Sequence, residues 1–129
     1  MTNLFRRIKP YSFRITIDLI ARLLKIPKSL IVKAECWAYV LFVHRHDKGG
    51  QFISYRKLQQ WQNAVACQIQ NCINCQQMRQ LWAAIANDYQ KHSQQYDDGH
   101  YPFVCKIWIK SWDALGNAQE FTDFEVDTA

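Results

Sequence analysis

Two apolar stripes in the middle of the chain constrain its folding more than any other feature. Leu58, Trp61, Val65, Ile69 and Cys72 recur at steps of three and four, and Met78, Ile85 and Tyr89 form a second stripe through the adjacent pair Leu81 and Trp82, which is the spacing of one helix face. The stripes are out of phase. Leu58 and Met78 lie twenty residues apart, about 5.6 turns at 3.6 residues per turn, so one straight helix would carry the stripes on opposite sides. The chain should break between them. Asn74 followed by Gln77 has the pattern of a capping box, which places the break at residues 71–74.

Upstream, "YSFRITI" at 11–17 alternates as a strand does, although Ile15, Leu19, Leu23 and Ile26 also fit a helical face. Asp18 is a candidate N-cap for "LIARLLKI". Pro27 interrupts, and Ser29 is placed to cap a second helix through "LIVKAECWAYVLFVHR", apolar nearly all round from Trp37 to Val43. "DKGG" at 47–50 ends it, as a helix C-terminus or a hairpin turn, with "QFISY" at 51–55 as a short strand or capping segment. After the second stripe, polar residues take over and Gly99 is a stop. "YPFVCKIWIKSW" then alternates in the manner of a strand, "ALGNA" reads as a turn and "EFTDFEV" as a return strand. The predicted fold class is α+β. It is a mostly helical single domain over 1–129, with about four helices, a C-terminal β-hairpin, one short N-terminal strand as an option, and an acidic, fraying tail from about residue 120 to 129.

A length of 129 residues with 49% hydrophobic and 14% aromatic content suits one packed core and excludes a disordered chain. The longest dense apolar run, "CWAYVLFV" at 36–43, falls short of the roughly 20 residues that span a bilayer. The first residues break up their apolar character with charges, against a secretory signal. A soluble, cytoplasmic protein without a membrane partner is the expectation, an Arg-rich organellar presequence the alternative. Thirteen Gln, eleven of them between residues 59 and 95, are read as an uncharged polar helix surface.

The net charge of +5 is unevenly spread. Residues 1–57 carry twelve Lys and Arg against three acids, or +9, and residues 58–129 carry four against eight, or −4. A positive first half is a phosphate-binding footprint or a face neutralised by the acidic second half. Within it, "DLIARLLKIPKSLIVKAECW" at 18–37 places small Ala21 where two helices would meet, Leu24 and Ile26 on either side of a turn, and Ile31 and Ala34 on an inner face. This stretch resembles the helix-turn-helix family of DNA-binding motifs, with Lys25 where the family usually has Gly. The resemblance implies that Lys28, Ser29 and Lys33 face outward onto phosphates or bases, with Arg22 and Lys25 on the backbone.

Cys67, Cys72 and Cys75 follow a C-x4-C-x2-C spacing, with Cys105 further on. The spacing resembles the ligand loop of plant-type two-iron ferredoxins, which implies an iron–sulfur cluster on these four thiolates. A zinc site would use Cys72 and Cys75 with Cys105, His92 or His100. The intervening "QIQN" and "IN" contain no Gly to turn backbone amides toward sulfide. Buried or surface thiols without a cofactor are the leading reading.

"HRHD" at 44–47 is read as cations offsetting the negative pole of a helix end rather than as acid–base machinery. No nucleophile with an orienting partner and no Gly-rich phosphate cradle is visible, and nothing favours a hydrolase built on Cys36, Cys67 or Cys105. The sequence therefore points to a small basic binding protein without enzymatic activity, nucleic-acid-associated or regulatory, with DNA or RNA as partner. The alternative is a protein–protein interaction module, such as a phage-type inhibitor or toxin-neutralising protein, with Trp108 and Trp112 on one side of the late strand as its interface.

Overall fold

The computed structural model describes the backbone of residues 1–128 and the side chains of residues 1–116. Two compact units divide the chain: Lys9–Trp61, and Met1–Ile8 together with Gln62–Ala129. Five α-helices and three strands make it α+β, with the strands in the middle of the chain. Among the described residues no helix is long and apolar enough to cross a membrane.

The Lys9–Trp61 unit opens with a 3-10 turn, Pro10–Ser12, in place of the strand read at 11–17. Helix α2 (Ile17–Leu24), the second in chain order after α1 (Asn3–Ile8), is capped by Thr16 rather than Asp18. The Thr16 hydroxyl accepts from the Leu19 amide at 3.2 Å and satisfies one of the orphan donors of the first turn. At the other end Lys25 turns left-handed (φ 57°), while the Ile26 amide donates to the Ala21 carbonyl at 3.1 Å and the Lys25 amide to Arg22 at 3.3 Å. This is a Schellman ending without its usual glycine. Pro27 follows, and Lys28–Leu30 make a single 3-10 turn.

From Ile31 the chain extends. Strands β1 (Ile31–Cys36), β2 (Leu41–Arg45) and β3 (Gly49–Ile53) form an antiparallel meander in the order β1-β2-β3, where the sequence reading expected one central helix. An all-apolar run looks the same as a buried helix or as strand, turn and strand, and periodicity cannot separate them. The deciding residues are those of the turn at 37–40, where the Trp37 amide donates to the Val40 carbonyl at 3.0 Å. Beyond it Leu41, Val43 and Arg45 are buried while Phe42 and His44 are half-exposed, the period of two that belongs to strands. "HRHD" is accordingly the end of β2 and the start of a hairpin turn, not a helix end. Gly49, with φ +72°, closes that turn.

In the other unit the short helix α1 buries Leu4, Phe5 and Ile8 and packs on α4 (Cys75–Lys91), which buries Met78, Leu81, Ala84, Ile85 and Asp88. The chain breaks between α3 (Gln59–Gln70) and α4, as the stripe phases require. Asn74 accepts from the Gln77 amide at 2.8 Å, and Gln77 Oε1 reaches back to the Ile73 amide at 3.0 Å.

The C-terminal hairpin expected from residue 101 onward is helix α5, His100–Thr128. In "YPFVCKIWIKSW" Phe103, Cys105, Ile107 and Ile109 alternate with Val104, Lys106, Trp108 and Lys110, but residues four apart such as Lys106 and Lys110 also share a helix face, so the alternation does not exclude a helix. Burial instead follows a helical rhythm, with 104–105, 107–108, 111–112 and 115–116 more buried than the residues between them. Pro102 sits in the first turn, where a missing N–H costs nothing. The expectation of an acidic, fraying end at 120–129 concerns side chains outside the described residues.

Lys25→Gly should stabilise the protein by about 1 kcal/mol, because it removes the Cβ penalty of the left-handed position while keeping both Schellman bonds. Urea unfolding midpoints of the two proteins check this; an unchanged or lower midpoint would show that the Lys25 side chain compensates.

Candidate nucleic-acid interface

The outer face of the sheet is set by a bulge. Ile31 pairs with Arg45, yet Lys33 pairs with His44, so one extra residue is accommodated in β1 between Ile31 and Lys33. Without it Lys33 would stand opposite Val43, which is fully buried. The bulge moves Lys33 and Glu35 to the open side, and two cross-strand rows result. One row is Lys33, His44 and Gly50; the next is Glu35, Phe42 and Phe52.

Over the second row lies Trp37. Its ring stacks on Phe42 at 4.9 Å and 16°, and meets Phe52 edge-on at 5.4 Å, with Phe42 and Phe52 5.6 Å apart. These rings are on the surface: Phe52 is 61% exposed and Trp37 43%. Tyr39, in the adjoining turn, is 63% exposed. Contiguous exposed aromatic surface of this kind is uncommon away from binding sites.

Polar contacts hold the cluster in place. Trp37 Nε1 donates to Glu35 Oε2 at 2.9 Å, and Lys33 Nζ pairs with Glu35 Oε1 at 3.0 Å. The Trp37 bond, then the Lys33 bond, hold the Glu35 carboxyl below its ordinary range. From beneath, the buried Tyr55 hydroxyl donates to the Trp37 carbonyl at 2.5 Å. Gly50 supplies the space for Phe42, since a Cβ at residue 50 would stand 2.8 Å from Phe42 Cε2. At the strand end the buried Arg45 guanidinium makes a two-pronged contact with Asp47, at 2.9 and 2.7 Å, and reaches Gln51 at 3.1 Å.

The unit that carries this face is basic. The Lys9–Trp61 unit carries ten Lys and Arg against three acids, or +7. Each of those acids already holds one cation, Asp18 with Lys28 at 3.1 Å, Glu35 with Lys33 and Asp47 with Arg45. The surplus is therefore positive. No family model, curated protein or solved structure matches this chain.

The residues singled out in the sequence are distributed as follows. Arg22 is on α2, Lys25 at its left-handed end, Lys28 and Ser29 in the 3-10 turn, all exposed, and Lys33 is on β1. Of these, Lys33 belongs to the aromatic face. Trp37 and Phe42 lie inside the run that the sequence reading assigns to the core, and Phe52 lies in "QFISY", read there as a short strand or capping segment without a binding role. The signal that could have revealed them is the pair "GG" at 49–50, a hairpin turn that makes its flanks strands.

Cys67 is exposed on α3, Cys72 lies in the break, Cys75 opens α4 and Cys105 is on α5 beside Tyr101. Among the described residues no three His, Cys, Asp or Glu side chains form a group that could hold a metal ion. Cys72 lines a polar cavity of about 270 Å³ with Arg7, Gln68, Asn71, Gln77 and Gln80. Burial pushes its thiol pKa up, against the pull of Arg7.

Trp108 and Trp112 occupy one face of helix α5 rather than a strand. They form, with Trp82, Arg79, Ala83, Ile109 and Asp113, a cleft of about 420 Å³. The Arg79 guanidinium lies 5.7 Å from the Trp112 ring centre.

His100 is interior. Its ring is 2% exposed and stacks on Tyr96 at 4.3 Å, while the hydroxyls of Tyr96 and Thr2 both donate to the buried Asp88 carboxyl. Burial pushes the His100 pKa down to about 4, against the opposing pull of Asp88 and Asp97. The ring is neutral at pH 7, and its Nδ1 is buried without a hydrogen-bond partner.

Two outcomes follow from this geometry. Between pH 6.5 and about 4 the unfolded chain binds a proton at His100 that the folded chain does not, so stability rises with pH across that window. At full effect the slope is about 1.4 kcal/mol per pH unit. His100→Phe should flatten the wild-type profile there in urea titrations; parallel profiles would contradict the assignment. Gly50→Ala should change stability by less than about 1 kcal/mol, because only the far end of the Phe42 ring has to move. It should nonetheless alter the near-ultraviolet circular dichroism of the Trp37–Phe42 pair.

Proposed function

We propose that this protein binds nucleic acid, DNA or RNA, through the open face of its three-stranded sheet, and that its role is binding rather than catalysis. The observation that carries the reading is the pair of exposed rings Trp37 and Phe52 packed with half-exposed Phe42, beside Lys33 and His44, in a unit of charge +7. Aromatic rings and cations meet the two parts of a nucleotide, the π-face of the base and the phosphate. Arg22, Lys25, Lys28 and Ser29 extend the same role as phosphate contacts. Each would supply affinity without sequence preference.

A second reading has its own observation. The cleft between α4 and α5, lined by Trp82, Trp108 and Trp112, has the composition of an interface hot spot and supports a protein partner on the helical unit.

Salt separates the two. Nucleic-acid binding should weaken on a log–log plot with a slope of about −2 to −4, the release expected when three to five phosphates are neutralised. Fluorescence anisotropy of a labelled mixed-sequence DNA or RNA at rising salt measures it. Lys33→Ala should reduce the slope by about 1. An absence of binding at low salt would overturn the proposal, and binding of a protein partner with little salt dependence would support the second reading.

A further inference from the structure

The aromatic face also indicates which form of nucleic acid it takes. We propose that the sheet binds unpaired, single-stranded bases, with Trp37 and Phe52 each stacking on one base and Phe42 positioning Trp37; this rests on the nucleic-acid reading above. Paired and unpaired nucleic acids offer a protein different groups. In a duplex the base faces are covered by their neighbours, and a protein meets base edges and phosphates. A single strand can splay its bases and present their faces. The surface here matches the second case, because what it exposes is ring faces rather than donors and acceptors.

Along the aromatic row, Glu35 is the acceptor available, and Trp37 and Lys33 already occupy both its oxygens. Phe42 and Phe52 have nothing to hydrogen-bond with. A face of this composition can stack, but it has few groups left to read base edges. That predicts tolerance of sequence together with selectivity for strandedness.

The platform is also arranged before any ligand arrives. Trp37 is fixed on one side by its bond to Glu35 and on another by its stack on Phe42, and Phe42 lies over a residue without a Cβ. Side chains held in this way lose little conformational freedom on binding, so more of the stacking energy shows as affinity. Lys33 and His44 form the neighbouring row of the same face, two residues along the strands or about 7 Å away. That is within reach of the phosphate of a nucleotide whose base lies on the rings.

Charge also favours this occupant over an apolar protein segment. The three acids of the unit are each engaged with a cation, and the remaining charge is positive. A polyanion with exposed ring faces matches both the rings of this face and the net positive charge of the unit that carries it; a neutral apolar peptide matches the rings alone.

The test uses the full chain and labelled oligothymidylate and oligouridylate of about 12 nucleotides, the same length as a blunt duplex, and inorganic polyphosphate as a charge-only competitor. Anisotropy at low salt should show either single strand bound at least about tenfold more tightly than the duplex, equivalent to about 1.4 kcal/mol. Phe52→Ala should weaken single-strand binding about tenfold and leave polyphosphate competition unchanged, whereas Phe52→Tyr should retain binding. Phe52 is 61% exposed, so the variants should fold, and thermal melts of each confirm it. Trp37→Phe should keep most of the affinity, and Trp37→Ala should lose it to the same extent as Phe52→Ala.

The outcomes divide cleanly. If duplex or polyphosphate binds as tightly as the single strand, or if Phe52→Ala binds as wild type, base stacking is overturned while nucleic-acid binding stands. If no oligonucleotide binds, both fall.

Discussion

Strand β2 is paired on both sides, and its register decides what each face of the sheet is made of. Leu41, Val43 and Arg45 point one way, Phe42 and His44 the other, and a slip of one residue would exchange the two sets. Three features pin it. Gly49 fixes the turn into β3, Arg45 reaches Asp47 and Gln51 from the buried side, and the bulge in β1 absorbs the residue that would otherwise turn Lys33 inward. The aromatic row exists because these agree. If the bulge were lost, Lys33 and Glu35 would be driven toward the side occupied by Leu41 and Val43, where charge without compensation is costly.

The helical unit depends on a different device. Out-of-phase stripes demand a break, and Asn74 with Gln77 makes the break inexpensive by satisfying amides that the new helix leaves open. Its interior also accommodates polar groups. Asp88 is fully buried, yet the hydroxyls of Thr2 and Tyr96 serve its oxygens, and the first of these ties the beginning of the chain to α4. Polar satisfaction thus performs in this unit what strand register performs in the other.

These differences explain which parts of the fold were legible in the sequence. The break at 71–74 could be read because two amphipathic helices keep a polar side, so a phase can be measured. The α+β mixture could be read too, but not its arrangement. At 36–43 no polar side exists, and the apolar run was assigned to a helix although it contains a turn and a strand. At 101–112 the alternation of apolar residues with Lys106 and Lys110 also fits one helix face, and the structure has a helix where a hairpin was expected. In the first case burial on two sides erases the period that distinguishes the structures; in the second a short two-residue alternation coincides with the four-residue spacing of a helix face. Lys33 alone of the residues predicted to bind lies on the aromatic face; Trp37 and Phe42 belong to the apolar run itself, and Phe52 to the short segment after the turn.

Gly50 illustrates how folding and recognition can make separate demands on one position. The meander needs a small residue there less than the Phe42 ring does, because the ring's far end can swing aside and leave the strands in register. A lineage selected only for a folded sheet could therefore accept alanine at position 50. One selected for a flat, accessible ring could not, unless position 42 changed with it, and the two sites would drift as a pair.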